Sequence, residues 1–102
     1  MFIITLTLTE HKTRAPGFMA AHNEWIARGV NDGLFLVVGG LKPQGGGFIL
    51  AHNADRPAIE ARVAEDPFVR EGIVTPCIQE VSPARTDARL AFLTGDAVEV
   101  GA

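Results

Sequence analysis

Residues 2–9 alternate, with Phe2, Ile4, Leu6 and Leu8 on one face and Ile3, Thr5, Thr7 and Thr9 on the other. A period of two, with β-branched residues throughout, predicts a first strand with one buried face. The polar stretch from His11 to Ala15 reads as a loop, and Pro16 opens a helix at its first turn, where the missing N–H is not needed. From Pro16 to about Gly29 the period lengthens to that of a helix. Phe18, Met19, His22, Trp25, Ile26 and Gly29 share one stripe, and Asn23, Glu24 and Arg28 lie opposite. Asn31-Asp32-Gly33 turns the chain into Leu34–Val38, a strand apolar on both faces. Gly39 to Gly47, holding Pro43 and five glycines, reads as a loop into an antiparallel third strand, Phe48–Ala51. Asp55 is the N-cap signal, with Pro57 in the first turn, for a helix to about Glu65 that buries Ile59 and Val63. Asp66-Pro67 interrupts it, and Pro67–Glu71 predicts one more turn, closed by Gly72. Ile73–Val81 forms a fourth strand, in which Pro76 marks an edge or an irregularity.

The order β-α-β-β-α-β is the ferredoxin-like split unit, an α+β class with two helices on one face of a four-stranded antiparallel sheet. Residues 1–82 make this domain, and residues 83–102 form a mixed, weakly patterned C-terminal extension. The helices cover one sheet face only, while the second strand and Ile3 put apolar side chains on the other. A homodimer that buries sheet against sheet resolves this. With 102 residues, 47% hydrophobic and 21% charged, the chain has the balance of one folded domain rather than a disordered one. Its longest uncharged apolar run, Gly33–Leu41, is far short of the roughly 20 residues of a membrane span. Nine basic against twelve acidic residues give a net charge of −3, and no Lys/Arg cluster marks a nucleic-acid groove. Cys77 is the single cysteine, which fits a reducing compartment. The first residues lack the basic region and cleavage site of a signal peptide, so a cytoplasmic protein is expected.

Two segments carry a family resemblance. They are Arg14-Ala15-Pro16-Gly17-Phe18-Met19-Ala20-Ala21-His22-Asn23-Glu24-Trp25-Ile26 and Glu65-Asp66-Pro67-Phe68-Val69-Arg70-Glu71-Gly72-Ile73. Together, in this element order, they resemble the YciI-like proteins of the dimeric α+β barrel group over roughly residues 2–82. The resemblance implies a homodimer with a cleft that holds a histidine–aspartate pair, by position His22 and Asp66, proposed as a catalytic dyad. Related members are linked to dehydrochlorination of aromatic ring-cleavage substrates, and the wider group includes muconolactone isomerases and cofactor-free monooxygenases. Members often carry Gly-Pro after the second strand and Gly-Ser opening the third. This chain has Gly39-Gly40 and Gly46-Gly47, so the serine hydroxyl is missing.

Each candidate has a plain reading beside the functional one. His22 is either a core histidine satisfied by backbone or a general acid–base, since imidazole titrates near neutrality. Asp66 caps the short turn, orients the imidazole, or does both with its two oxygens. Arg14 is a solvated loop residue or a planar fork for a substrate carboxylate. Gly40-Leu41-Lys42-Pro43-Gln44-Gly45 has phosphate-loop spacing, but Gly46-Gly47 replaces the required Lys-Ser/Thr and a strand follows. Nucleotide binding is therefore rejected. Cys77 is expected to be a small buried hydrophobe. His11 and His52 form no pair with metal-ligand spacing, so neither a metal nor another cofactor is expected. The expected function is a small homodimeric enzyme of lyase, isomerase or hydrolase type acting on a small anionic organic molecule. The alternatives are a non-catalytic metabolite- or partner-binding dimer and a cofactor-free monooxygenase.

Overall fold

The computed structural model describes residues 1–94; residues 95–102, the end of the expected extension, lie outside the described residues. Strands β1 (Phe2–Leu8), β2 (Phe35–Gly40), β3 (Gly47–Ala51) and β4 (Val74–Glu80) form one antiparallel sheet in the order β2-β3-β1-β4. Helices α1 (Ala15–Asn31) and α2 (Arg56–Ala64) pack on its inner face, and a four-residue helix α3 (Pro67–Arg70) leads into β4. This is the ferredoxin-like arrangement.

Alternation in β1 works as the pattern requires, with Phe2, Ile4 and Leu6 buried and Thr7 exposed. Register then decides β4: Ile78 pairs with Ile4 on the inner side, and Cys77 pairs with Thr5 on the outer side. Cys77 is therefore exposed, correcting the expected burial. Pro76 sits in an edge strand opposite Leu6, where a missing N–H is tolerated. The glycine-rich loop is shorter than expected. Gly39 pairs with Phe48 and Gly40 with Gly47, so these glycines belong to the ladder, which uses backbone groups alone. A register shift between Phe35 and Val37 turns Phe35 inward and leaves Val37 52% exposed on the outer face.

Trp25 anchors the helices. Its side chain is wholly buried, its ring meets Phe35 edge-on at 5.1 Å, and its Nε1–H donates to the Arg62 carbonyl at the end of α2 (2.9 Å). One turn later Gly29 lets α1 approach the same ring, because a Cβ there would lie 2.2 Å from Phe35 carbons. The Asp55 carboxylate accepts from the Ala58 N–H (3.0 Å) and caps α2, as expected. After β4 the chain runs to a 3₁₀ turn at Ala88–Leu93, capped by Asp87. The Arg89 guanidinium, and then the Arg89 N–H, hold the Asp87 carboxyl below the usual carboxylate range. Leu90 and Phe92 on this turn are exposed. No helix among the described residues is long and apolar enough to cross a membrane.

Candidate functional site

His22 and Asp66 come from different elements and meet. Gly72, with φ at +70°, takes the left-handed conformation that ends the α3 segment and sends the chain into β4. The Thr9 hydroxyl donates to the Gly72 carbonyl at 2.6 Å and ties this turn to the end of β1. At the other end of α3 the Asp66 carboxylate lies inside the protein, 0% exposed. Its Oδ1 accepts the Phe68 N–H (3.0 Å) and stands 2.7 Å from His22 Nδ1. Its Oδ2 is the one buried side-chain oxygen or nitrogen without a hydrogen-bond partner among the described residues.

Capping alone does not account for this burial. Asp55 makes the equivalent bond for a longer helix while exposed to water. A buried carboxylate with an orphaned oxygen carries a penalty of about 1–3 kcal/mol that a solvated cap avoids. His22 is the side chain that meets Asp66 there.

The hydrogen bonds also assign the ring's tautomer. An ionised carboxylate only accepts, so Nδ1 carries the proton in the neutral imidazole and Nε2 keeps its lone pair. Nε2 has no hydrogen-bond partner among the described residues and is not buried. Phe68 stacks flat on the imidazole, with centroids 3.9 Å apart and planes 5° apart, and Trp25 lies 5.9 Å away on the same helix. The ring is thus clamped by a carboxylate and an aromatic face, with its basic nitrogen unburied.

A cavity of about 280 Å³ opens beside it. Helix α1 contributes Ala15, Met19, His22 and Asn23, the i, i+4, i+7 and i+8 positions of one helical face. This is a second stripe, flanking the core stripe that Trp25 and Gly29 bury, and His22 stands at the seam between them. Met19 is accordingly exposed at 43% and lines the cavity, where the sequence pattern placed it in the core. Asn23, assigned by the same pattern to the solvent side, also lines it. From the sheet come Leu6, Leu8 and Val74, and Gly39, Gly46 and Gly47 add a wall without side chains.

Arg14 is not among the lining residues. Its guanidinium bonds the Glu71 carboxylate (3.0 Å) and the Glu71 carbonyl (3.2 Å) and lies 5.5 Å from the centre of the Phe18 ring. It joins the start of α1 to the end of α3, the two elements that carry His22 and Asp66. Sequence reasoning missed Phe68 and Asn23. The signals were Phe68's place two residues after the capping aspartate and Asn23's place beside His22. Among the described residues no three His, Cys, Asp or Glu side chains are grouped to hold a metal ion.

Residues 1–81 match the family model of the YCII-related domain, and the chain belongs to that family. No curated protein matches it. Among solved structures it is similar to 5-chloro-2-hydroxyhydroquinone dehydrochlorinase from Burkholderia phenoliruptrix AC1100, determined in complex with 2,5-dihydroxybenzoquinone. The TM-score is 0.67 at 16% identity, and the match covers 78% of this chain and 91% of that one. At that identity the likeness is one of fold.

Proposed function

We propose that this YCII-related protein is a cofactor-independent enzyme of lyase, isomerase or hydrolase type, with His22 as general base and acid and Asp66 as the group that orients it. The observation that carries the reading is the 2.7 Å contact between His22 Nδ1 and a wholly buried carboxylate, which leaves Nε2 accessible beside a cavity. Nε2 takes a proton from the substrate, and the imidazolium so formed donates to Asp66 through a charge-assisted hydrogen bond. In an elimination, the pair released by the broken O–H or C–H bond moves into a new double bond. The leaving group then departs with its own pair. The dehydrochlorinase that shares the fold supports an elimination as the first reaction to try.

The chain acts, in this reading, as a cytoplasmic homodimer joined through the outer sheet face. Val37 is 52% exposed there, and Ile3, Phe48 and Leu50 are half-buried in the single chain. An antiparallel sheet with one apolar face open to water is a surface for association.

The test is turnover of 5-chloro-2-hydroxyhydroquinone, followed as chloride release, together with a panel of small lactones and esters. Wild type, His22→Gln and Asp66→Asn are compared. We expect turnover of at least one compound, falling about 10²–10⁴-fold in His22→Gln. Turnover that is unaltered in His22→Gln would remove the dyad. No turnover of any compound, with binding retained, would favour a metabolite-binding dimer. Oxygen uptake with the quinol would favour a monooxygenase.

A further inference from the structure

The charge of the substrate can be read from the cavity wall, taking the cavity beside His22 as the substrate site, as the proposed function does. An anionic substrate needs a cation. None of the lining residues is a lysine, arginine or carboxylate, and only His22 and Asn23 have polar side chains; the rest are apolar or glycine. Arg14, the cation expected from the sequence, is engaged by the Glu71 carboxylate and carbonyl and does not line the cavity. Behind the wall lies a carboxylate, because Asp66 touches His22. An anion entering would leave water for an apolar cavity, meet no lysine or arginine and face a buried carboxylate behind His22, which is unfavourable on each count.

Size and shape narrow the class further. A cavity of about 150 Å³ is enough for benzene. One of about 280 Å³ therefore admits a single substituted ring. The glycine wall is also constrained: a Cβ on Gly46 would sit 2.4 Å from the Leu6 carbonyl oxygen, whereas one on Gly47 would make only ordinary contacts with Leu6 at 3.5 and 3.7 Å. Gly46 is bare because the backbone passes too close for a side chain. Gly47 has room for a Cβ packed against Leu6, so a side chain there would add bulk to the cavity wall.

We propose that the cavity binds an uncharged, ring-sized molecule, and that the Asn23 amide is a specificity-determining group that hydrogen-bonds its polar substituent. Asn23 is exposed and follows His22 directly on the cavity-facing stripe, so its amide and the imidazole reach the same molecule from one helix. An amide both donates and accepts, which suits a hydroxyl or a carbonyl and supplies no net charge.

The experiment compares three probes on the whole protein at neutral pH: phenol (uncharged, polar), toluene (uncharged, apolar) and benzoate (anionic). Binding is read from amide chemical shifts at Asn23, Gly46 and Gly47. We expect phenol to bind at least tenfold more tightly than benzoate. Asn23→Ala should weaken phenol several-fold and leave toluene unchanged, a split that a merely structural role for Asn23 would not produce. Gly47→Val, which adds bulk to the cavity wall, should weaken phenol and toluene together. Benzoate binding more tightly than phenol, with the advantage lost in Arg14→Gln, would overturn the proposal in favour of an anion site. Equal loss of phenol and toluene in Asn23→Ala would overturn the role of Asn23. The readout needs no turnover, so bound probes without catalysis would count against the enzyme reading and leave this one standing.

Discussion

Replacing Asp66 separates its two tasks, and the structure sets the size of each. Asp66→Ala removes the acceptor of the Phe68 N–H, an N-cap worth about 1 kcal/mol. It also strands the His22 Nδ1–H, at a cost of about 1–3 kcal/mol, while deleting the orphaned Oδ2 returns about 1 kcal/mol or more. The net is a loss of about 1–3 kcal/mol. Asp66→Asn keeps an oxygen for both bonds and exchanges one orphaned atom for another. It forfeits only the charge assistance of the contact with His22, a difference of about 1 kcal/mol. For a domain of this size about 1 kcal/mol moves Tm by roughly 4–8 °C. Asp66→Asn should therefore melt about 4–8 °C below wild type, and Asp66→Ala up to about three times as far below it. Imidazole ¹⁵N shifts supply the second readout. The Nδ1–H form should persist in Asp66→Asn, and the Nε2–H form should grow in for Asp66→Ala, because no acceptor then holds the other tautomer. Asp66→Asn melting as low as Asp66→Ala, or an unchanged tautomer ratio in Asp66→Ala, would refute the assignment of Asp66 as the orienting group.

Two further variants address the frame around the site. Gly29→Ala gains about 1 kcal/mol of helix propensity, yet its Cβ would meet the Phe35 ring at 2.2 Å, and overpacking of that kind costs about 1–3 kcal/mol. Thermal melting should show a lower Tm, and a Tm at or above wild type would show that the ring yields freely. Val37→Lys places a charge on the proposed dimer face, at its edge strand β2. Sedimentation at micromolar concentration should show a dimer for wild type and a monomer for the variant, and a wild-type monomer would dispose of the sheet-to-sheet interface.

Legibility followed the range of the interaction. Alternation in β1 and the caps of α2 and α3 are local, and the residues that encode them lie within a few positions of one another. The strand membership of Gly39, Gly40 and Gly47 is set by their partners across the hairpin, which a glycine's own identity does not reveal. Cys77 shows the same limit, since the face it takes follows from Ile78 pairing with Ile4, about seventy residues away in sequence. At the site, the helical period located His22 but merged two stripes into one. Met19 and Asn23 became cavity residues because β1 and the β2–β3 hairpin leave room beside α1, a fact of tertiary packing. Arg14 is the converse case: its sequence context matched a family pattern, and its nearest acceptor is Glu71, 57 positions along the chain.

The two aspartates that precede helices show most clearly what sequence cannot carry. Asp55-Arg56-Pro57 and Asp66-Pro67 give the same cap signal, and both carboxylates accept a backbone N–H at 3.0 Å. Burial and the contact with His22, which lies 44 positions from Asp66, tell them apart. Serine caps nearly as well as aspartate but is shorter and uncharged. Asp55→Ser should thus stay within about 0.5 kcal/mol of wild type and keep full activity. Asp66→Ser should still fold, with its cap bond to Phe68 preserved, but lose the hold on Nδ1 and with it about 10²-fold or more of any turnover that depends on the oriented ring. Retained turnover in Asp66→Ser would reduce Asp66 to a second cap, and the orphaned Oδ2 would then need another explanation.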